Sequence, residues 1–281
     1  MAKFIEEFRA VLADGGDLPS LPEVVIDLQE ALEDDTASGG RIAGVIRRDP
    51  AMATKLLRVA NSSAFNTGSP VSSVDGALQR LGFRQVRSIC MGIAVMGAFN
   101  RSGSGLLDQR FWQHSVAVAT LARELARGLG YHALPLDELY VGGLLHDVGF
   151  VLLDQYFPHA LKEARVVAEA TGARLWMTER IVLGTDHGEV GGMLLDSWSL
   201  PAGITAAVSC HHHPREAPER HRDAVWLTFA AERLSATHGP SLAIEGLSGE
   251  GTERMVEAMR SAGCDVDAVL EGASANVPAL A

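Results

Sequence analysis

At 281 residues and 47% apolar side chains, the chain can bury a substantial core as one large domain or two ordinary ones. Its 24 lysines and arginines stand against 35 aspartates and glutamates, a net charge of −11. That balance argues against nucleic-acid or anionic-membrane binding, because phosphate contacts need clustered positive charge. The basic residues Arg41, Arg47, Arg48, Lys55 and Arg58 surround Asp49 on two predicted helices and read as a solvated face. Cys90, Cys210 and Cys264 are isolated and odd in number, which argues against a disulfide framework or thiolate zinc site and fits a reducing compartment. The opening residues mix Glu6 and Glu7 with apolar side chains rather than building a signal peptide. The most apolar stretch, 89–99, falls short of the roughly 20 residues of a membrane span. The expectation is a cytoplasmic protein.

Helical periodicity dominates in chain order. Val24, Leu28, Ala31 and Leu32 recur at the three- and four-residue intervals of a one-sided helix. Asp49 and Pro50 read as an N-cap and first helical residue opening a helix over 51–60. Ser72 with Asp75 resembles a capping box ahead of Val74, Ala77, Leu78 and Leu81, and Gly82 closes that helix. Further helices are predicted over 83–99, 109–129, 136–156, 159–170, 174–183, 187–197, 201–212 and 222–237, with short ones around Met255 to Met259 and Val266 to Leu270. Glycine and serine between Asn100 and Gly105 mark the best internal boundary. The expected fold class is all-α: an N-terminal helical lobe over 1–105, a second lobe over 106–240 and a helical tail over 241–281, frayed from Ala273.

Seven positions in the second half invite a common explanation: His114, His146, Asp147, His187, His211, His212 and Glu232. Imidazole and carboxylate without thiolate suit iron, manganese, cobalt or zinc, and a helical bundle can project such side chains toward one centre. His146-Asp147 lies in an apolar stretch with Gly142, Gly143 and Gly149, where a bare charge is costly and small residues permit close approach. Each position also has an ordinary reading. His146 and Asp147 could bond on a neighbouring turn, His114 could be a satisfied core residue, and His187 could belong to a cap formed with Asp186 and Glu189. The His211-His212-His213 run before Pro214 could be a polar helix end, which suits the negative end of the dipole. Singly these suffice; in this order they point to one site.

The ordered motifs carry a family resemblance. Leu18-Pro19-Ser20-Leu21-Pro22, Ile46-Arg47-Arg48-Asp49-Pro50, Leu56-Leu57-Arg58-Val59-Ala60-Asn61-Ser62, Val71-Ser72-Ser73-Val74 with Ala77 and Arg80-Leu81-Gly82 make up the first half. Gly143-Leu144-Leu145-His146-Asp147-Val148-Gly149, Asp186-His187-Gly188-Glu189-Val190-Gly191, Trp198-Ser199-Leu200-Pro201 and His211-His212 before Pro214 make up the second. From about residue 18 to 272 the chain resembles the HDOD family, the HD-related output domains of bacterial signalling proteins. The resemblance implies an HD-like helical bundle in the second lobe. It implies metal ligation by His114, His146, Asp147, His187, His211 and His212, with the closing aspartate replaced by Glu232 and Asp223 a weaker alternative. One or two divalent ions of iron, manganese, zinc or cobalt would be the cofactor. An active member would be a metal-dependent phosphohydrolase or phosphodiesterase using His146 and Asp147, with a nucleotide as a ligand; an output module would answer to a signalling partner. Two departures bear on catalysis. Phe150 stands where related cyclic-di-GMP phosphodiesterases have a lysine, and Arg110 stands where they have a carboxylate one turn before the first histidine. Residues four apart share a helix face, so Arg110 could oppose a second cation or grip a phosphate. The later Gly-Tyr-Pro signature of those enzymes is absent.

Overall fold

The computed structural model describes residues 39–61, 68–99, 109–131, 133–238 and 250–274, with Phe8, Phe65 and a few other isolated positions. The Leu18 to Pro22 motif, the helix expected around Val24 to Leu32, Ser62, the boundary at 100–105 and the last residues from Ala275 lie outside the described residues.

In chain order the helices are α1 (Gly39–Arg47), α2 (Pro50–Ala60), α3 (Val74–Leu81), α4 (Phe83–Phe99), α5 (Gln109–Gly128), α6 (Leu136–Leu145) and α7 (Val148–Tyr156). They continue as α8 (Pro158–Thr171), α9 (Leu175–Leu183), α10 (His187–Ser197), α11 (Ala202–Ser209), α12 (Arg222–His238), α13 (Glu250–Ser261) and α14 (Val266–Ser274). Two short 3-10 turns, Pro214–Glu216 and Glu219–His221, join α11 to α12, and no strand occurs among the described residues.

Local chemistry sets the ends. The Asp49 carboxylate accepts from the backbone N–H groups of Ala51 and Met52, at 2.9 and 3.0 Å, so α2 starts at Pro50 as its sequence predicts. The cap of α3 is Ser73 rather than Ser72, its hydroxyl accepting from Gly76 N–H at 3.1 Å. Asn61 closes the excursion after α2: its side-chain amide donates to Val71 O at 2.8 Å and accepts from Val71 N–H at 2.7 Å. The basic face is exposed at Arg41, Arg47, Arg48 and Arg58, where Arg47 pairs with Asp75 at 2.7 Å.

One large core runs from Ile42, Leu56 and Ile89 in the first half to Leu144, Leu152, Leu194 and Val208 in the second, so both halves share a continuous interior. A smaller core joins Val118, Leu121 and Leu125 of α5 to Leu227, Leu234 and Val266. The tail is part of that packing: α14 lies against α5 and remains helical through Ser274, one residue past the expected start of fraying. Helix α6 is buried from Leu139 to Leu145 and lies between α5, α4 and α11. Such a helix, apolar all round, can sit only in the middle of a bundle.

Two predicted helices are interrupted where the chemistry lies. The single helix expected over 136–156 is two, with His146 and Asp147 at the break and Phe150 N–H donating to Asp147 O at 3.0 Å. The helix expected to reach 212 ends at Ser209, and His211 and His212 lie in the turn beyond it. In an unbroken helix adjacent side chains diverge by about 100°. The breaks release two consecutive pairs from that constraint.

Candidate metal centre

The six residues His114, His146, Asp147, His187, His211 and His212 meet inside the second half. Two groups have ligand atoms close enough to hold an ion: His114, His146 and Asp147, and His187, His211 and His212. Asp147 stands between them. Its Oδ2 lies 3.2 Å from His146 Nε2 and 3.7 Å from His114 Nε2. Its Oδ1 lies 3.2 Å from His187 Nε2 and 3.7 Å from His211 Nε2. The nitrogens also face one another, at 3.3 Å for His114 Nε2 and His146 Nε2 and 2.8 Å for His187 Nε2 and His212 Nε2.

The far sides of the rings fix where the protons sit. A carbonyl only accepts, so His146 Nδ1–H donates to Gly143 O at 2.8 Å and His211 Nδ1–H to Val208 O at 2.7 Å. His187 Nδ1–H donates to the Glu179 carboxylate at 2.7 Å. When those rings are neutral, each Nε2 carries a lone pair aimed at the Asp147 carboxylate, and acceptors facing acceptors repel. His211 Nε2 is the clearest case: fully buried, with no hydrogen-bond partner. Burial pushes the His211 ring down to about 3, with His146 and His187 adding to the shift, and drives His212 well below the ordinary histidine range. For His187 burial works the same way, but Glu179 and Asp147 outweigh it and raise the ring well above that range. Burial would raise the Asp147 carboxyl; the His146 and His187 rings overcome it and hold the group well below its usual value.

A divalent cation would resolve the repulsion, and the spacing of His114 from His146 suits one. Two nitrogens bound at about 2.0–2.1 Å in a tetrahedral array stand roughly 3.3 Å apart, the separation of His114 Nε2 from His146 Nε2. The donor set of neutral imidazoles and one carboxylate is the chemistry first-row ions take.

Three residues that composition and spacing did not single out support the cluster. Glu179, fully buried on α9, also accepts from the His187 backbone N–H at 3.0 Å. Trp176 stacks on His212 with ring centroids 5.6 Å apart. The Ser235 hydroxyl lies 3.5 Å from His114 Nδ1. A buried carboxylate could have been found from α9 alone, since Leu175, Thr178, Glu179 and Leu183 form its buried face. His213 turns away to Asp186 Oδ2, 3.1 Å distant, and Asp186 caps α10 through Glu189 N–H.

The remaining expected residues lie outside the two ligand groups. Glu232 is buried on α12, with its carboxylate 4.0 Å from His212 Nδ1 and outside both ligand groups. Asp223 is exposed at the start of α12. Arg110 is exposed one turn before His114. Phe150 is buried, its ring edge-on to His187 at 6.0 Å and covered by the Arg165 guanidinium at 4.8 Å.

The family model for the HDOD domain matches residues 18–214. Among curated proteins, one from Treponema pallidum (strain Nichols) without assigned function is 25% identical over 211 residues. That match takes in 74% of this chain, which spans only 40% of the relative's length. Among solved structures, a candidate signal transduction protein from Marinobacter aquaeolei VT8 superposes with a TM-score of 0.69 at 25% identity, over 92% of this chain and 56% of that one. A candidate phosphohydrolase from Shewanella amazonensis SB2B superposes with a TM-score of 0.72 over 96% of both chains, and its 24% identity speaks to the fold alone.

Proposed function

Since the chain belongs to the HDOD family, we propose that it is a signal-transduction output module whose histidine–aspartate pocket binds one or two divalent transition-metal ions. The observation that carries the reading is the orphaned, fully buried His211 Nε2 beside a carboxylate already faced by other ring nitrogens. Leaving a buried polar group unmet costs about 1–3 kcal/mol, and a cation meets several at once. His114 and His146 would hold one ion and His187, His211 and His212 a second, with Asp147 offering one oxygen to each. Glu232 would steady His212 from its Nδ1 side. Metal analysis of protein purified without chelator and then loaded with Mn²⁺, Fe²⁺ or Zn²⁺ tests this; one or two ions per chain are expected, and none after loading would end it.

A second reading, a metal-dependent phosphohydrolase, is favoured by the shared position of Asp147 between two ligand groups. Ions bound there supply Lewis acidity toward a phosphoryl oxygen. Asp147 would set the two groups in register, and Arg110, exposed one turn before His114, would contact the phosphate of a nucleotide or other phosphoester. Against turnover stands Phe150, which fills its place beside His187 with an uncharged ring. Hydrolysis of bis(p-nitrophenyl) phosphate with added Mn²⁺ or Fe²⁺ separates the two: no turnover by loaded protein leaves the module, and metal-dependent turnover lost in Asp147→Asn establishes the enzyme.

A further inference from the structure

Helix α9 supplies no member of either ligand group, yet it touches the pocket through three residues. Trp176 stands three positions before Glu179 and four before Arg180, so their side chains leave the helix on one side. Glu179 is fully buried, and its Oε2 accepts both the Nδ1–H and the backbone N–H of His187 at 2.7 and 3.0 Å. Trp176 lies against a different segment, its ring stacked on His212 and edge-on to His213, with centroids 5.6 and 4.6 Å apart. Arg180 reaches both segments: its Nε–H donates at 2.6 Å to Asp186 Oδ2, the oxygen that also accepts from His213 Nε2–H at 3.1 Å. One helix face thus grips residues 186–187 at the start of α10 and residues 212–213 beyond α11. Between those grips the Nε2 atoms of His187 and His212 stand 2.8 Å apart, although the residues are 25 positions distant in sequence.

We propose that α9 is the positioning element of the pocket: Glu179 orients His187 and Trp176 orients His212, so that two rings from separate segments meet one ion already aligned. The inference rests on the metal-binding reading above. The packing of α10 on α11 sets the two segments side by side, but an imidazole still turns about its own side-chain torsions. Its orientation is fixed by partners on the ring. A carboxylate accepting from the far ring nitrogen of a ligating histidine sets its tautomer and raises its basicity. The Glu179 carboxylate is suited to that role, since its Oε1 is buried without a hydrogen-bond partner and among the described residues no lysine or arginine pairs with it. Its charge is balanced through the His187 ring, by whatever cation binds at Nε2. Arg180, by pairing with Asp186, holds the two segments at a fixed separation.

The test is calorimetric titration of the stripped full chain with Zn²⁺. In Glu179→Gln, which keeps the volume and removes the charge, at least one binding step should weaken about 10- to 100-fold. Trp176→Leu should weaken a step about 2- to 10-fold, the worth of one aromatic contact, and Trp176→Phe, which keeps an aromatic face, should bind as wild type. Ile181→Ala, on the exposed side of the same helix, should also bind as wild type. Circular dichroism of the metal-free proteins should not change. Because each residue acts through its own ligand, Glu179→Gln should cost nothing further in His187→Ala, nor Trp176→Leu in His212→Ala. Wild-type affinity in Glu179→Gln or Trp176→Leu, or an equal loss in Ile181→Ala, overturns the role of α9 and leaves the metal reading standing. A wild type that binds no zinc overturns both. On wild-type protein loaded with Zn²⁺, the NMR spectrum should show a proton on His187 Nδ1 and nuclear Overhauser contacts between the Trp176 and His212 rings. Absence of either refutes the proposal even if the variants do not fold.

Discussion

Gly149 is packed directly against the backbone of His187: a β-carbon on Gly149 would lie inside the radius of the His187 carbonyl oxygen and 2.5 Å from Gly191 N. Helices α7 and α10 therefore cross backbone to backbone, and that crossing carries Asp147 to His187. Gly143 does the same on the other side, where a β-carbon would meet Ala119 Cα at 2.7 Å. Gly149→Ala should destabilise the protein by at least about 1–3 kcal/mol, the usual cost of overpacking, and lower metal content with it. Thermal unfolding and metal analysis of the variant check this; wild-type values for both would show that the helices are not in contact there.

Asp147 divides its oxygens between two histidine groups, which separates its substitution from the others. Asp147→Asn should weaken both ion sites together. His114→Ala should weaken its own group and leave the His187, His211 and His212 group loaded, whereas His146→Ala removes a ring that also packs edge-on against His211, with centroids 5.2 Å apart. Ions per chain, measured at equal free metal, distinguish these patterns. Full occupancy in Asp147→Asn would remove the carboxylate from the ligand set.

The cap at Asp49 should be separable from the site. Asp49→Ala leaves two N–H groups of α2 unmet and should cost about 1 kcal/mol in denaturant unfolding. Metal content should not change. A larger loss accompanied by loss of metal would mean that the first half holds the site together more tightly than the shared core implies.

Alkaline pH should destabilise the fold through two buried acids. Burial raises the Tyr140 hydroxyl above its ordinary value despite the nearby Arg123 guanidinium, and burial, with Asp49, raises the Cys90 thiol. Both groups are protonated in the folded chain and ionise more readily unfolded, so their contribution is full below the unfolded values, about 8.5 for cysteine and 10 for tyrosine. It is lost as pH rises toward the folded values. Denaturant unfolding at pH 8 and pH 10.5 should show a drop for wild type that is smaller in Tyr140→Phe. Equal drops in both proteins would place the Tyr140 hydroxyl in solvent.

Much of this was legible from one-dimensional pattern. The helices over 83–99 and 187–197 have the limits their periodicity indicates, and Asp49 caps where it should, because these features depend on neighbours in sequence. The ring positions followed from a family pattern rather than from periodicity. What escaped was conformational detail imposed by packing. The apolar stretches on both sides of His146 and Asp147 are helical in period, so nothing local signals the break; it arises where α7 meets α10 through Gly149 and Gly191. Likewise Ser209 to His212 is compatible with continued helix, and the turn exists because His211 and His212 both face the interior. Glu179 lies eight positions before His187 on a separate helix, so no local pattern links the two.

The placement of the ligands at joints has a mechanical corollary. His146 and Asp147 sit where α6 gives way to α7, His187 is the first residue of α10, and His211 and His212 follow the last residue of α11. Cations held by these residues would act as rivets through several joints, fixing the angles between the rods that meet there. Filling or emptying the pocket would then alter the shape of a neighbouring surface without any side chain on that surface touching the ion.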